Sequence, residues 1–100
     1  MSLSYEERLT QDARLVILRA LHKQTDGRLN ETIIEHELDR FGHRRSRSWI
    51  RTQLEALREL DAVKLFEAGT VMVASVTRLG IDHVDRRRII DGVARPSPEE

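Results

Sequence analysis

Arg40-Phe41-Gly42-His43-Arg44-Arg45-Ser46-Arg47-Ser48-Trp49-Ile50-Arg51-Thr52-Gln53-Leu54 is the stretch on which the reading of this chain turns. It holds five arginines, Arg40, Arg44, Arg45, Arg47 and Arg51, and no acid. The whole chain carries 17 basic and 17 acidic residues, a net charge of zero. Charge is therefore segregated: Asn30–Asp39, directly upstream, carries Glu31, Glu35, Glu37 and Asp39 and no Lys or Arg. Gly42 offers a left-handed residue to end one helix, and His43-Arg44-Arg45 makes a turn. Ser46 then caps a helix whose apolar stripe is Ile50, Leu54 and Leu57, with Leu60 a turn further. Arg47, Ser48, Arg51 and Thr52 lie off that stripe, near the helix N-terminus and its partial positive charge.

Upstream, Asn30 reads as the N-cap of a helix over Glu31–Phe41, with Ile34, Leu38 and Phe41 inward and Ile33 beside them. Arg28-Leu29-Asn30 is short enough to be a strand of one or two residues. Before it, Ser4 and Glu7 form an S-x-x-E capping box that starts a helix near Tyr5. Leu9, Ala13, Val16, Ile17, Ala20 and Leu21 follow at helical spacing, and Leu15 and Leu18 widen the apolar surface to most of the girth. Such a helix is central to its fold or half of a dimer contact. Thr25-Asp26-Gly27 stops it. Downstream, Val63–Glu67 and Val71–Val76 read as a hairpin around Ala68-Gly69-Thr70. Thr77 caps a fourth helix that ends near Arg87, and Gly92, Pro96 and Pro98 break the rest of the chain.

Two helices, a basic further helix and a hairpin, in that order, predict a winged helix-turn-helix: mostly α with a small β-hairpin, its sheet of two or three strands. Residues 1–90 form the domain, and residues 91–100 a partly disordered tail in which Glu99-Glu100 is a loose end. Leu54–Val63 and Val76-Thr77-Arg78-Leu79-Gly80 resemble winged-helix regulators of the multidrug- and arsenic-resistance repressor type. There the first segment ends the recognition helix, and the second is the leucine-threonine-x-x-glycine step from the wing into the next helix. The glycine usual after the recognition helix is replaced here by Asp61, which tolerates a left-handed backbone less well. Asp12-Ala13-Arg14-Leu15-Val16-Ile17-Leu18, Leu29-Asn30, Phe41-Gly42-His43 and Gly92-Val93-Ala94-Arg95-Pro96 are similar to a family of short proteins of Mu-like phages and prophages. That resemblance implies a phage or bacterial source and a role in the phage programme. It implies no particular biochemical activity.

Composition narrows the function classes. One hundred residues, 39% apolar and 34% charged, suit one small helical domain with a solvated surface. With no cysteine there is no disulfide, thiolate metal site or cysteine nucleophile. No signal-peptide pattern or membrane-length apolar run is present, which predicts a soluble protein of the bacterial host cytoplasm. His22, His36, His43 and His83 lack metal-ligand spacing and read as surface residues, although His43 could add charge to the arginine patch. No catalytic set or glycine-rich phosphate loop stands out, so neither an enzyme nor a cofactor is expected.

The leading expectation is double-stranded DNA binding, in transcriptional regulation of phage genes, by a homodimer that joins through helix one, the C-terminal segment or both. Arg44, Arg45, Arg47, Ser48, Arg51 and Thr52 would carry the contact, the arginines to phosphates or guanine edges. The plainer reading pairs those arginines with Glu31, Glu35 and Asp39 across the turn. Zero net charge and a hairpin tip without Arg or Lys favour another class, a protein-interaction module that uses Phe66, Val71 and Val73. The tail, through Ile89, Ile90 and Val93, could instead cover that surface. Trp49 is expected to be partly buried against the second helix.

Overall fold

The computed structural model describes residues 2–97. The element order is α1 (Tyr5–His22), β1 (Arg28–Asn30), α2 (Glu31–Arg40), α3 (Arg47–Glu59), β2 (Val63–Ala68), β3 (Val71–Val76) and α4 (Arg78–Val84). This is a mixed α/β architecture, four helices and a three-stranded antiparallel sheet in the order β1-β3-β2. The short Arg28–Asn30 segment is a true strand, with Arg28 opposite Ser75 and Asn30 opposite Val73.

Helix α1 is the axis of the molecule. The Ser4–Glu7 capping box closes reciprocally. Ala13, Leu15, Val16, Ile17, Leu18, Ala20 and Leu21 are all buried, which explains a helix apolar around most of its girth. Asn30, Ser46 and Thr77 cap α2, α3 and α4 through their side-chain oxygens. The α3 stripe Ile50, Leu54 and Leu57 is completely buried, as its spacing predicts.

Helices α2 and α3 stop in the same way. The His43 amide donates to the Leu38 carbonyl and the Ala62 amide to Leu57, closing a Schellman turn over Gly42 (φ 90°) and Asp61 (φ 62°). Asp61 thus holds the left-handed conformation that a glycine would adopt more easily. Phe41 is a correction: it is 53% exposed. Helix α2 ends at Arg40, so Phe41 leaves the Ile34–Leu38 stripe, and the Arg40 guanidinium sits 5.6 Å from its ring centroid.

On the hairpin, Met72 and Ala74 point into the core, while Val71 and Val73 are half-buried and Phe66 is exposed. Thr77 links the end of the hairpin to the end of α3. Its hydroxyl lies 2.7 Å from the Asp61 carbonyl and 3.0 Å from that of Ala62, and its oxygen accepts from the Gly80 amide. A Cβ on Gly80 would stand 2.5 Å from the Ala62 carbonyl oxygen, so the threonine-x-x-glycine pattern reflects a close helix-to-turn approach.

The tail is built into the core. Ile90 and Val93 are buried, so packing runs past the boundary expected at residue 90. The Ala94 amide donates to the Gln11 carbonyl, and Arg14 donates to the Gly92 carbonyl. Ile90 and Val93 therefore serve α1 and its neighbours rather than the outer hairpin face, and exposed Ile89 is left outside this packing. Glu99-Glu100 lies outside the described residues. His83, expected at the surface, is 1% exposed. Its Nδ1 accepts from the Ile90 amide and its Nε2 lies 2.8 Å from the Ala94 carbonyl, the geometry of a neutral imidazole protonated at Nε2. Most of the apolar surface of α1 and the tail, Ile89 excepted, is thus buried within one chain.

Candidate functional site

Arg47, Ser48, Arg51 and Thr52 come together, with Glu55 and Met72, along a shallow groove between α3 and the hairpin. Arg44 and Arg45 line a separate depression with Glu35, His36, Asp39 and His43. The six expected contact residues therefore form two adjoining clusters around the N-terminal turn of α3.

Each of the five arginines in Arg40–Leu54 already has a carboxylate. Arg40 pairs with Glu37 at 3.1 Å, Arg44 with Asp39 at 3.1 Å and Arg45 with Glu6 at 3.4 Å. Arg47 pairs with Glu35 at 2.9 Å and Arg51 with Glu31 at 2.6 Å. Glu31 and Glu35 reach Arg51 and Arg47 because α2 and α3 pack side by side, Glu37 and Asp39 hold the arginines next to them in sequence, and Glu6 comes from α1. Most of these pairs are exposed on at least one side and contribute about 0–1 kcal/mol each. Arg44, with a 91% exposed side chain, is held least.

Arg51 differs. Glu31 is completely buried, and its two carboxylate oxygens accept from Arg51 Nε at 2.7 Å and Nη2 at 2.6 Å. The oxygen nearer Nη2 also accepts from the Met72 amide at 2.7 Å, and Arg51 donates onward to the Thr70 carbonyl. The arginine hydrogen bonds, aided by the Met72 amide and the charges of Arg51 and Arg47, outweigh burial and hold the Glu31 carboxyl down at about 2. The same contact pushes the Arg51 guanidinium up. Arg51 is thus a clasp joining α2, α3 and the hairpin, and much of its donor capacity is spent inside the fold. No sequence period pointed to Glu31. It occupies the first helical position after Asn30, and only the long-range pairing with Arg51 and Met72 makes its burial tolerable.

The Thr52 hydroxyl donates to the Ser48 carbonyl one turn back, keeping only acceptor capacity outward. Ser48 is exposed. Trp49 is partly buried, with Arg45 stacked 4.7 Å from its ring centroid. His43, read as a surface group that could add to the patch, is a correction: it is 6% exposed and its Nε2 lies 2.7 Å from Asp12. Burial draws it beneath the arginines, against α1.

Among the described residues no group of three or more His, Asp or Glu side chains could hold a metal ion, and no helix is long and apolar enough to cross a membrane.

The architecture defines a small mixed α/β protein, and sequence comparison places it among phage proteins. The chain is 38% identical over 90 residues to an uncharacterised protein, gp26, of Escherichia phage Mu, covering 90% of this chain and 93% of the relative. It is 42% identical over 78 residues to an uncharacterised protein of Haemophilus influenzae, covering 76% of this chain and 74% of that relative. The chain belongs to the family of short Mu-like phage proteins that includes gp26. No protein-family model and no solved structure matches it.

Proposed function

We propose that this protein is a winged-helix DNA-binding protein of a Mu-like phage or prophage, contacting duplex DNA through the N-terminal turn of α3 and acting in control of phage genes. One observation carries the reading. Arg44, Arg47, Ser48 and Thr52 all reach solvent around a capped helix N-terminus, beside the groove that α3 makes with the hairpin. Helix N-termini and arginines on such a face suit phosphate and base-edge contact. In this reading Arg44, Arg45 and Arg47 exchange their exposed carboxylates for phosphates. Arg51 stays on Glu31 and positions the face. The contact does not depend on a dimer, and most of the apolar surface of α1 and the tail, Ile89 apart, is buried within one chain.

A second reading, a protein-interaction module, draws on a specific observation. The arginine stretch is neutralised pair by pair, and the Gly69-Thr70 hairpin turn carries no base. Binding of the purified protein to phage genomic fragments at low and moderate salt separates the two. The DNA reading expects salt-sensitive retention, and Arg44→Gln with Arg47→Gln should flatten the log–log salt slope by about 1.8, or 0.9 per lost phosphate contact. Retention at neither salt would sink it and leave the protein-partner reading.

A further inference from the structure

The unpaired cations of the sheet lie away from the arginine stretch. On the outward face of β1-β3-β2, the register sets Arg28, Ser75 and Lys64 in one row and Asn30, Val73 and Phe66 in the next, with Val71 and Ala68 beyond. None of these eight is acidic. Arg28 and Lys64 are exposed and make no ion pair among the described residues, whereas every arginine of Arg40–Leu54 is paired. Phe66 is 41% exposed, and the Arg28 guanidinium lies 5.3 Å from its ring centroid. The nearest acid on the hairpin, Glu67, belongs to the opposite face by alternation, where it adds to the field at Arg51.

We propose that this open sheet face binds single-stranded nucleic acid: Phe66 stacks one base, and Arg28 and Lys64 hold the flanking phosphates. An aromatic ring on a sheet, flanked by cations about 10 Å apart across three strands, has the ingredients of a stacking platform in a positive field. Val71 and Val73 supply an apolar floor, and Ser75, between Arg28 and Lys64 on the central strand, supplies a hydroxyl. An apolar protein partner would leave Arg28 and Lys64 without counter-charges, which is why a polyanion with planar bases suits the face better. This site is separate from the α3 surface, so either can fail without the other.

The test is an amide chemical-shift titration of the intact protein with a ten-nucleotide oligothymidylate at low salt. Shifts centred on Arg28, Phe66 and Val73, with a log–log salt slope near −1.4, are expected for two phosphate contacts at about 0.7 each. Phe66→Ala should weaken binding about 5- to 150-fold, and Arg28→Gln or Lys64→Gln should halve the slope. All three positions are exposed, and an unchanged amide fingerprint before titration verifies the fold of each variant. Shifts confined to α3, or none up to millimolar oligonucleotide, would overturn the proposal. Tighter binding of an acidic, leucine-rich peptide than of the oligonucleotide would also overturn it, in favour of a protein partner.

Discussion

Replacing Glu31 with glutamine removes one negative charge from the point where α2, α3 and the hairpin meet. The amide could still accept from Met72, but its NH2 would face the Arg51 guanidinium, and the charged pair would be gone. The carboxyl is held at about 2 against an ordinary 4.5. At 1.36 kcal/mol per unit that is roughly 3 kcal/mol as an upper limit. The Arg51 and Arg47 side chains are 41% exposed, so solvent screens the interaction and about 1–2 kcal/mol is the better figure. The misdirected amide adds about 1 kcal/mol more. Urea unfolding at pH 7 should therefore show Glu31→Gln less stable by about 2–3 kcal/mol. Because the folded-state pKa is depressed, the ionic part is complete above pH ~4.5 and is lost as pH falls toward 2. The gap between wild type and variant should shrink by about 1–2 kcal/mol over that window. A gap under about 0.5 kcal/mol at pH 7, or one equally large at pH 2, would refute the clasp.

Gly80→Ala should destabilise by about 1–3 kcal/mol in thermal unfolding, since its Cβ would meet backbone at Ala62. Asp61→Gly should stabilise by up to about 1 kcal/mol, by relieving a non-glycine residue at φ 62°, as read from the urea midpoint. A chain ending at residue 90 loses Val93 and the bonds from Arg14 and Ala94, and should unfold at least ~2 kcal/mol more easily. The full chain should give a monomer mass by light scattering at micromolar concentration, because α1 and the tail satisfy each other.

Local chemistry was legible in the sequence. The capping serines, Asn30 and Thr77, the stripe Ile50-Leu54-Leu57 and the glycine stop at Gly42 each act within a few residues, and each stands where its pattern puts it. What escaped depends on distance along the chain. Phe41 fits the helical period, but the helix ends one residue too soon for that period to hold it inward. Glu31 reads as an ordinary first-turn acid, and only Arg51 and the Met72 amide, 20 and 41 residues away, make it a core group. His83 and His43 carry no period at all, and partners in the tail and in α1 decide their burial. The arginine stretch was found correctly as a feature. Its pairing was legible in part: Glu31, Glu35 and Asp39 hold Arg51, Arg47 and Arg44 as the plainer reading had them, whereas Glu6, the partner of Arg45, lies 39 residues away on α1 and no local pattern joins the two.

The closure of α1 by the tail sets an order in time. Arg14 and Gly92 are 78 residues apart, and Gln11 meets Ala94 across a still longer loop. During synthesis, α1 emerges with an apolar surface whose last cover is made after every other element. Until Ile90 and Val93 leave the ribosome, that strip stays open to whatever apolar surface is nearby. A nascent chain that stalls before residue 90 should therefore be sticky, and the emergence of Ile90 and Val93 is the step that covers the strip.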